Sequence, residues 1–385
     1  MSPPAPMQEV RTGQPATSGS MPIPSARSTA VDFFRGLGLW IVFVDHIDPN
    51  IWSHLTLWRF GFSDFAEIFV FLSGFISVGS YQRALASGVT SGAVEKLGRR
   101  MARLYVAHIA SLLVSLALLG VFARRGLRLN EPIMYVWMQH PAKYLLRVLT
   151  LTYEPHLYSL LPLYIVVSPL LLLAAMGLRR APKLTLCISG GLWLASQFPV
   201  FDSRVSSPIL FFHPLAWQFL FVLGAASRYY CDGLKTLAQA RWTTWVAAAI
   251  VAGSAALKIV GFFPLALPLL NPHLHAILLR DAGKALLAPY RLAHFLALLV
   301  CVHALTRDRR IEFKSFVARL AIASGADSLF IYCCTLVLAE AANLTLAGTH
   351  GGPVLQLALS ASGVALLCAV VWLRRGGTQL RPRAG

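Results

Sequence analysis

Asp32-Phe33-Phe34-Arg35-Gly36, followed by an apolar run that ends in His46, decides the reading of this chain. An arginine and a histidine lie in a stretch that otherwise reads as a membrane helix, and charges there need a reason. The step from Arg35 to His46 is about three helical turns, which puts both side chains on one face roughly 16 Å apart along the axis. Asp32 falls near the same face. A plain anchor helix would place Leu, Ile or Val at these positions. A buried line of carboxylate, guanidinium and imidazole therefore points to a reactive or conducting path. The simpler alternative has Arg35 snorkelling to the cytoplasmic surface and His46 resting in the outer interface.

Composition agrees with a membrane chain. Of 385 residues, 56% are hydrophobic and only 13% charged, with a mean hydropathy of +0.63. That leaves too little polar surface for a soluble globule of this length. Apolar stretches long enough to span a bilayer fall near 33–47, 60–80, 104–123, 157–178, 184–198, 209–229, 242–263, 286–305, 316–340 and 353–373. The first and fifth are short and fit only as spans packed inside the bundle. The expected fold is all-α: a polytopic membrane helix bundle of about ten transmembrane helices.

Lys and Arg accumulate on the cytoplasmic side of inner-membrane spans. Basic clusters follow the second span (Lys96, Arg99, Arg100, Arg103), the fourth (Arg179, Arg180, Lys183), the sixth (Arg228, Lys235, Arg241), the eighth (Arg307, Arg309, Arg310, Lys314) and the tenth (Arg374, Arg375, Arg381, Arg383). All lie on one side if both termini are cytoplasmic; the loop after the third span is the main exception. The net charge of +18 is thus mostly a topology signal, and no soluble basic module suggests a nucleic-acid partner. Residues 1–26, rich in Pro, Ser, Ala and Gly, read as a disordered cytoplasmic tail without a signal-peptide pattern. A membrane domain over 27–376 and a basic cytoplasmic tail over 377–385 complete the organisation. The six cysteines lack metal-ligand spacing and read as small packing residues, so no metal site is expected.

The second span opens Phe62-Ser63-Asp64-Phe65-Ala66-Glu67, which sets Asp64 and Glu67 on one face at i and i+3. If the first span runs outward and the second returns, His46 and Glu67 reach a similar depth near the outer end. A carboxylate on one imidazole nitrogen would fix the tautomer while the other nitrogen takes a proton from a hydroxyl. In the structural alternative Asp64 caps the second span and Glu67 pairs with a basic residue such as Arg59 or Arg291.

Arg35, ten intervening residues and His46, then Phe71-Leu72-Ser73-Gly74-Phe75, then Arg99-Arg100 with Arg103-Leu104-Tyr105, resemble in order the three early motifs of the integral-membrane acyltransferase-3 superfamily. The closer resemblance is to its OpgC branch. It rests also on Leu161-Pro162-Leu163-Tyr164, on His213-Pro214-Leu215-Ala216-Trp217-Gln218-Phe219 with Gly224, and on Asp281, Lys284, Arg291-Leu292 and His294, and covers roughly residues 30 to 340. Val106 departs from the pattern, which often has proline after the tyrosine, and so does His213, where asparagine is expected.

The resemblance implies a multi-pass inner-membrane transferase that moves an acyl group, typically succinyl, from cytoplasmic acyl-CoA to a sugar hydroxyl of a periplasmic glucan. Acyl-CoA (succinyl-CoA) is then a co-substrate, with no tightly bound cofactor. In this picture His46, oriented by Glu67 or Asp64, is the general base. Arg35 lies toward the pantetheine arm or steadies charge at the carbonyl oxygen. Arg99, Arg100 and Arg103 bind CoA phosphates or serve only as positive-inside anchors. Asp32 stands beside the donor path. Asp281, Lys284, Arg291 and His294 line the acceptor cavity or tie the spans together, and Trp217 and Tyr164 stack on sugar or pack. The competing class is a transporter or flippase for a glycan or small anionic solute, since intramembrane charges also mark transport paths. A structural anchor for a glucan synthase leaves Arg35 and His46 unexplained.

Overall fold

The computed structural model describes residues 29–86, 90–124, 141–152, 154–155, 157–198, 210–230, 236, 238, 240–262, 283–307, 312–349 and 351–376. Over these residues the chain is helical, without strands. Helix α1 spans Thr29–Asp45, and two 3-10 turns, Ile51–Leu55 and Leu57–Arg59, lead to α2, Phe65–Ala86. Then come α3 (Thr90–Arg124), α4 (Pro141–Leu149), α5 (Leu160–Arg180), α6 (Pro182–Ala195) and α7 (Pro214–Tyr229). The chain continues with α8 (Arg241–Phe262), α9 (Pro289–Thr306), α10 (Phe316–Ala326), α11 (Ser328–Thr349) and α12 (Pro353–Arg374).

Among the described residues seven helices are long and apolar enough to cross a membrane: α2, α3, α5, α8, α9, α11 and α12. The remaining expected spans are short. Helices α1, α6 and α7 have 17, 14 and 16 residues, and at about 1.5 Å per residue α6 falls well below the thickness of a hydrocarbon core. The ninth stretch, expected over 316–340, is in fact two elements. The chain breaks at Asp327, whose carboxylate is held by Arg375 at 3.2 Å, and α11 runs on to Thr349. Within the loop expected over 124–156, α4 is a further helix; residues 125–140 and the two tails lie outside the described residues.

Two glycine-to-backbone crossings fix the centre of the bundle. A Cβ on Gly74 of α2 would come within 2.1 Å of the Phe221 carbonyl oxygen, and one on Gly224 of α7 within 2.0 Å of that of Phe71. Helices α1 and α10 meet similarly: a Cβ on Gly36 or Gly325 would lie 1.8 Å from the carbonyl oxygen of Ala321 or Asp32. Without a hydrophobic force between helices in lipid, such close approach is what holds them. Replacing Gly224 by leucine is expected to force α2 and α7 apart, costing at least the ~1–3 kcal/mol typical of overpacking. Thermal unfolding of the detergent-solubilised variant against wild type checks this; an unchanged midpoint would contradict the crossing.

Helix α1 runs parallel to α11 and antiparallel to α12. Arg35 donates to Ser328 at the start of α11, whereas Asn343, fifteen residues on, donates to the His46 carbonyl at 3.0 Å. Beyond His46, Asn50 and Ile51 are bound by Ser360 and Gln356 near the start of α12.

Candidate functional site

Two polar regions are built at opposite ends of α1. At the Arg35 end a cavity of about 230 Å³ opens between α1, α2, α3, α5 and α11. Arg35, Arg100, Arg103, Tyr164 and Tyr332 line it. The Arg100 guanidinium is cradled by hydroxyls: Nε donates to Ser168 Oγ at 3.2 Å, Nη2 to Ser73 Oγ at 2.9 Å, and Nη1 to Ser77 Oγ. Among the described residues no carboxylate lies within 4 Å of it. Ser73 and Ser77 are one turn apart on α2, so helical periodicity alone presents both to the same cation. Arg35 has Asp32 at 4.0 Å and Ser328 as partners, and Asp32 is buried.

The basic cluster on α3 is thereby divided. Arg99 points to solvent and pairs with Glu95 at 2.8 Å. Arg103 borders the cavity, its Nε donating to the Arg99 carbonyl at 3.3 Å, and Arg100 lies inside.

At the other end of α1, His46 Nδ1 lies 2.6 Å from the Val42 carbonyl oxygen. A carbonyl only accepts, so Nδ1 carries the proton and Nε2 is the basic nitrogen. The group that sets the tautomer is therefore a backbone oxygen of α1. Glu67 and Asp64 are engaged elsewhere. Arg291 reaches Glu67 at 2.7 Å and Asp64 at 3.3 Å, and Lys284 reaches Asp64 at 2.7 Å. Asp64 also caps α2: Oδ1 accepts from the Ala66 N–H at 2.8 Å while the Asp64 N–H donates to Glu67 Oε2 at 2.9 Å, the reciprocal arrangement of a capping box. Asp64 thus caps α2 and Glu67 pairs with Arg291.

Lys284 is positioned by a tightly held turn. Gly283 adopts φ +80°, where glycine is favoured. Trp217 Nε1 donates to the Lys284 and Ala285 carbonyls, Trp193 Nε1 to that of Leu287, and Gln197 to that of Leu286. This corrects the expected role of Trp217: its side chain is fully buried and secures the Lys284 turn, leaving no face for a sugar. His294 is likewise buried against the loop before α2, where Nδ1 accepts from Ser63 N–H and Ser63 Oγ is 2.7 Å away. It holds the loop that carries Asp64. Asp281 lies outside the described residues.

The expected pairing of Arg35 with His46 in one catalytic group also needs correction. Arg35 is bound at the first residue of α11 and the His46 carbonyl by Asn343, fifteen residues further along that helix, and the two residues are roughly 16 Å apart along α1 itself. Arg35 therefore cannot steady an oxyanion formed at His46; it belongs with Arg100.

Four residues escaped the sequence analysis. Tyr332 and Ser328 reach the cavity from α11, which begins 148 residues after the end of α5, the nearest other lining helix in the chain, and no local pattern marks them. Glu154, in the segment before α5, accepts from the Phe211 N–H at 3.0 Å, and burial pushes its carboxyl up to about 8. Asp45 ends α1, where an acid opposes the helix dipole; that misplacement was the available signal.

A family model described as OpgC protein matches residues 27–376. No curated protein and no solved structure matches the chain.

Proposed function

Because the chain belongs to the OpgC family, a family of glucan-modifying membrane acyltransferases, we propose that it transfers an acyl group, succinyl in kind, from cytoplasmic acyl-CoA to a sugar hydroxyl of periplasmic glucan across the bacterial inner membrane. The observation that carries the donor half is the Arg100 cavity. A guanidinium held by three serine hydroxyls, with a second guanidinium in the same cavity, favours an anionic ligand, because a buried charge is costly without a counter-charge. CoA phosphates supply one through charge-assisted hydrogen bonds. From Arg35 to His46 is roughly 16 Å of continuous α1, a length an extended pantetheine arm can bridge.

In this reading the thioester carbonyl sits by His46. Nε2 takes the proton of the acceptor hydroxyl as its oxygen bonds to the carbonyl carbon, the C–S bond breaks, and the imidazolium returns the proton to the CoA thiolate. Direct transfer needs no acyl-enzyme.

The test is label transfer in proteoliposomes from succinyl-CoA to isolated periplasmic glucan, with acetyl-CoA in parallel. Arg100→Met is expected to raise the KM for acyl-CoA about tenfold or more, the worth of one or two charge-assisted bonds, with insertion unchanged. Proton- or sodium-coupled uptake without label transfer would instead make this a transporter.

A further inference from the structure

Asp45 stands one residue before the proposed base and has an unusual set of partners. Its Oδ1 is 2.5 Å from Thr56 Oγ, which is also 2.7 Å from the Ser53 carbonyl oxygen. A hydroxyl has one proton, so Thr56 cannot satisfy both acceptors. When it serves the Ser53 carbonyl, Oδ1 is one donor short. Oδ2 makes no bond to any described residue, yet it is not sealed from solvent. Asp45 has no cation within 4 Å among the described residues. Asp64 and Lys284 lie within electrostatic reach, but the Lys284 ammonium is 2.7 Å from Asp64. A carboxyl whose one hydroxyl donor is shared with a backbone carbonyl, placed at the end of a helix whose dipole disfavours it, breaks a local rule.

We infer that Asp45 is an acceptor-binding residue: its carboxyl accepts a hydrogen bond from one hydroxyl of the incoming sugar and so presents a neighbouring hydroxyl to His46. The inference rests on the acyltransferase reading above. A polyol fits this position because it brings several donors at fixed spacing, and a carboxylate binds hydroxyl donors through charge-assisted bonds. The Asp64–Lys284 pair beside it leaves the local charge near balance, which suits a neutral ligand better than a second anion. Asp45 takes no part in bond making; it positions the nucleophile, where small misplacements cost rate steeply.

The experiment compares wild type, Asp45→Ala and Asp45→Asn in nanodiscs, using glucan isolated from the periplasm. In the transfer assay Asp45→Ala is expected to raise the KM for glucan about tenfold or more and to leave the KM for acyl-CoA within about twofold. Asp45→Asn, of the same shape and able to accept through its amide oxygen, should fall between. Equal losses toward donor and acceptor, or an unchanged glucan KM, would overturn the inference. Direct binding of labelled glucan, measured without any acyl donor, separates this inference from the reading beneath it. If wild type binds glucan but transfers no acyl group, the acyltransferase reading fails, and Asp45 still stands if both variants bind more weakly. Glucan binding equal to wild type in a folded Asp45→Asn would sink it, including where Asp45→Ala does not fold.

Discussion

His46→Ala is expected to reduce acyl transfer by about 10²–10⁴-fold, the usual contribution of a positioned general base, while the protein inserts at normal abundance. The structure says why the loss should be confined to chemistry. His46 lies just beyond the last residue of α1, and its ring bonds within that helix, Nδ1–H to the Val42 carbonyl at 2.6 Å. Its backbone carbonyl, which receives Asn343, survives the substitution. The tether between α1 and α11 is therefore kept when the imidazole is removed. The cavity proposed for the donor lies at the opposite end of α1, so the KM for acyl-CoA should stay near the wild-type value. Label transfer from succinyl-CoA to glucan in membranes of matched protein content reads both quantities. Normal transfer by the variant would refute His46 as base, and a large rise in the acyl-CoA KM would place the imidazole at the donor instead.

The helical class and most spans were legible in the sequence because apolar length is a local property. Residue 327 shows the limit: hydropathy runs across Asp327 without a gap, and only the partner Arg375, on the last turn of the bundle, fixes the break between α10 and α11. The site divides in the same way. Arg35, Arg100 and His46 stood out because each is a charged or titratable group in an apolar run. Which of them lie together did not stand out, because that depends on α11, whose Ser328 and Asn343 bond the two ends of α1. Helical spacing correctly put Asp64 and Glu67 on one face but could not choose their partner. Arg291 is 224 residues beyond Glu67, and its claim on both carboxylates is a tertiary fact. Trp217 misled for the opposite reason: an aromatic in a motif suggested a sugar platform, whereas its indole N–H is spent on the carbonyls of the Lys284 turn.

Arg291→Leu is expected to produce the largest stability loss of any single change at the carboxylate cluster. The Glu67 side chain is 0% exposed and Arg291 6% exposed, with 2.7 Å between them. Removing one partner of such a pair strands the other charge away from water, typically at ~3–5 kcal/mol, whereas replacing both with apolar groups of similar volume is often close to neutral. Asp64 is buffered because Lys284 remains at 2.7 Å; Glu67 has no second ion-pair partner within 4 Å among the described residues. Glu67→Leu with Arg291→Leu should therefore recover most of the loss in apparent Tm, the signature of coupling in a double-mutant cycle. The same double variant decides what Glu67 is for. If it is stable and still transfers acyl groups, the carboxylate serves the junction of α2 and α9, and His46 works without it. If it is stable and inactive while its acyl-CoA KM is unchanged, Glu67 or Arg291 acts in the reaction itself, and the capping arrangement at Asp64 is the resting form of a catalytic group.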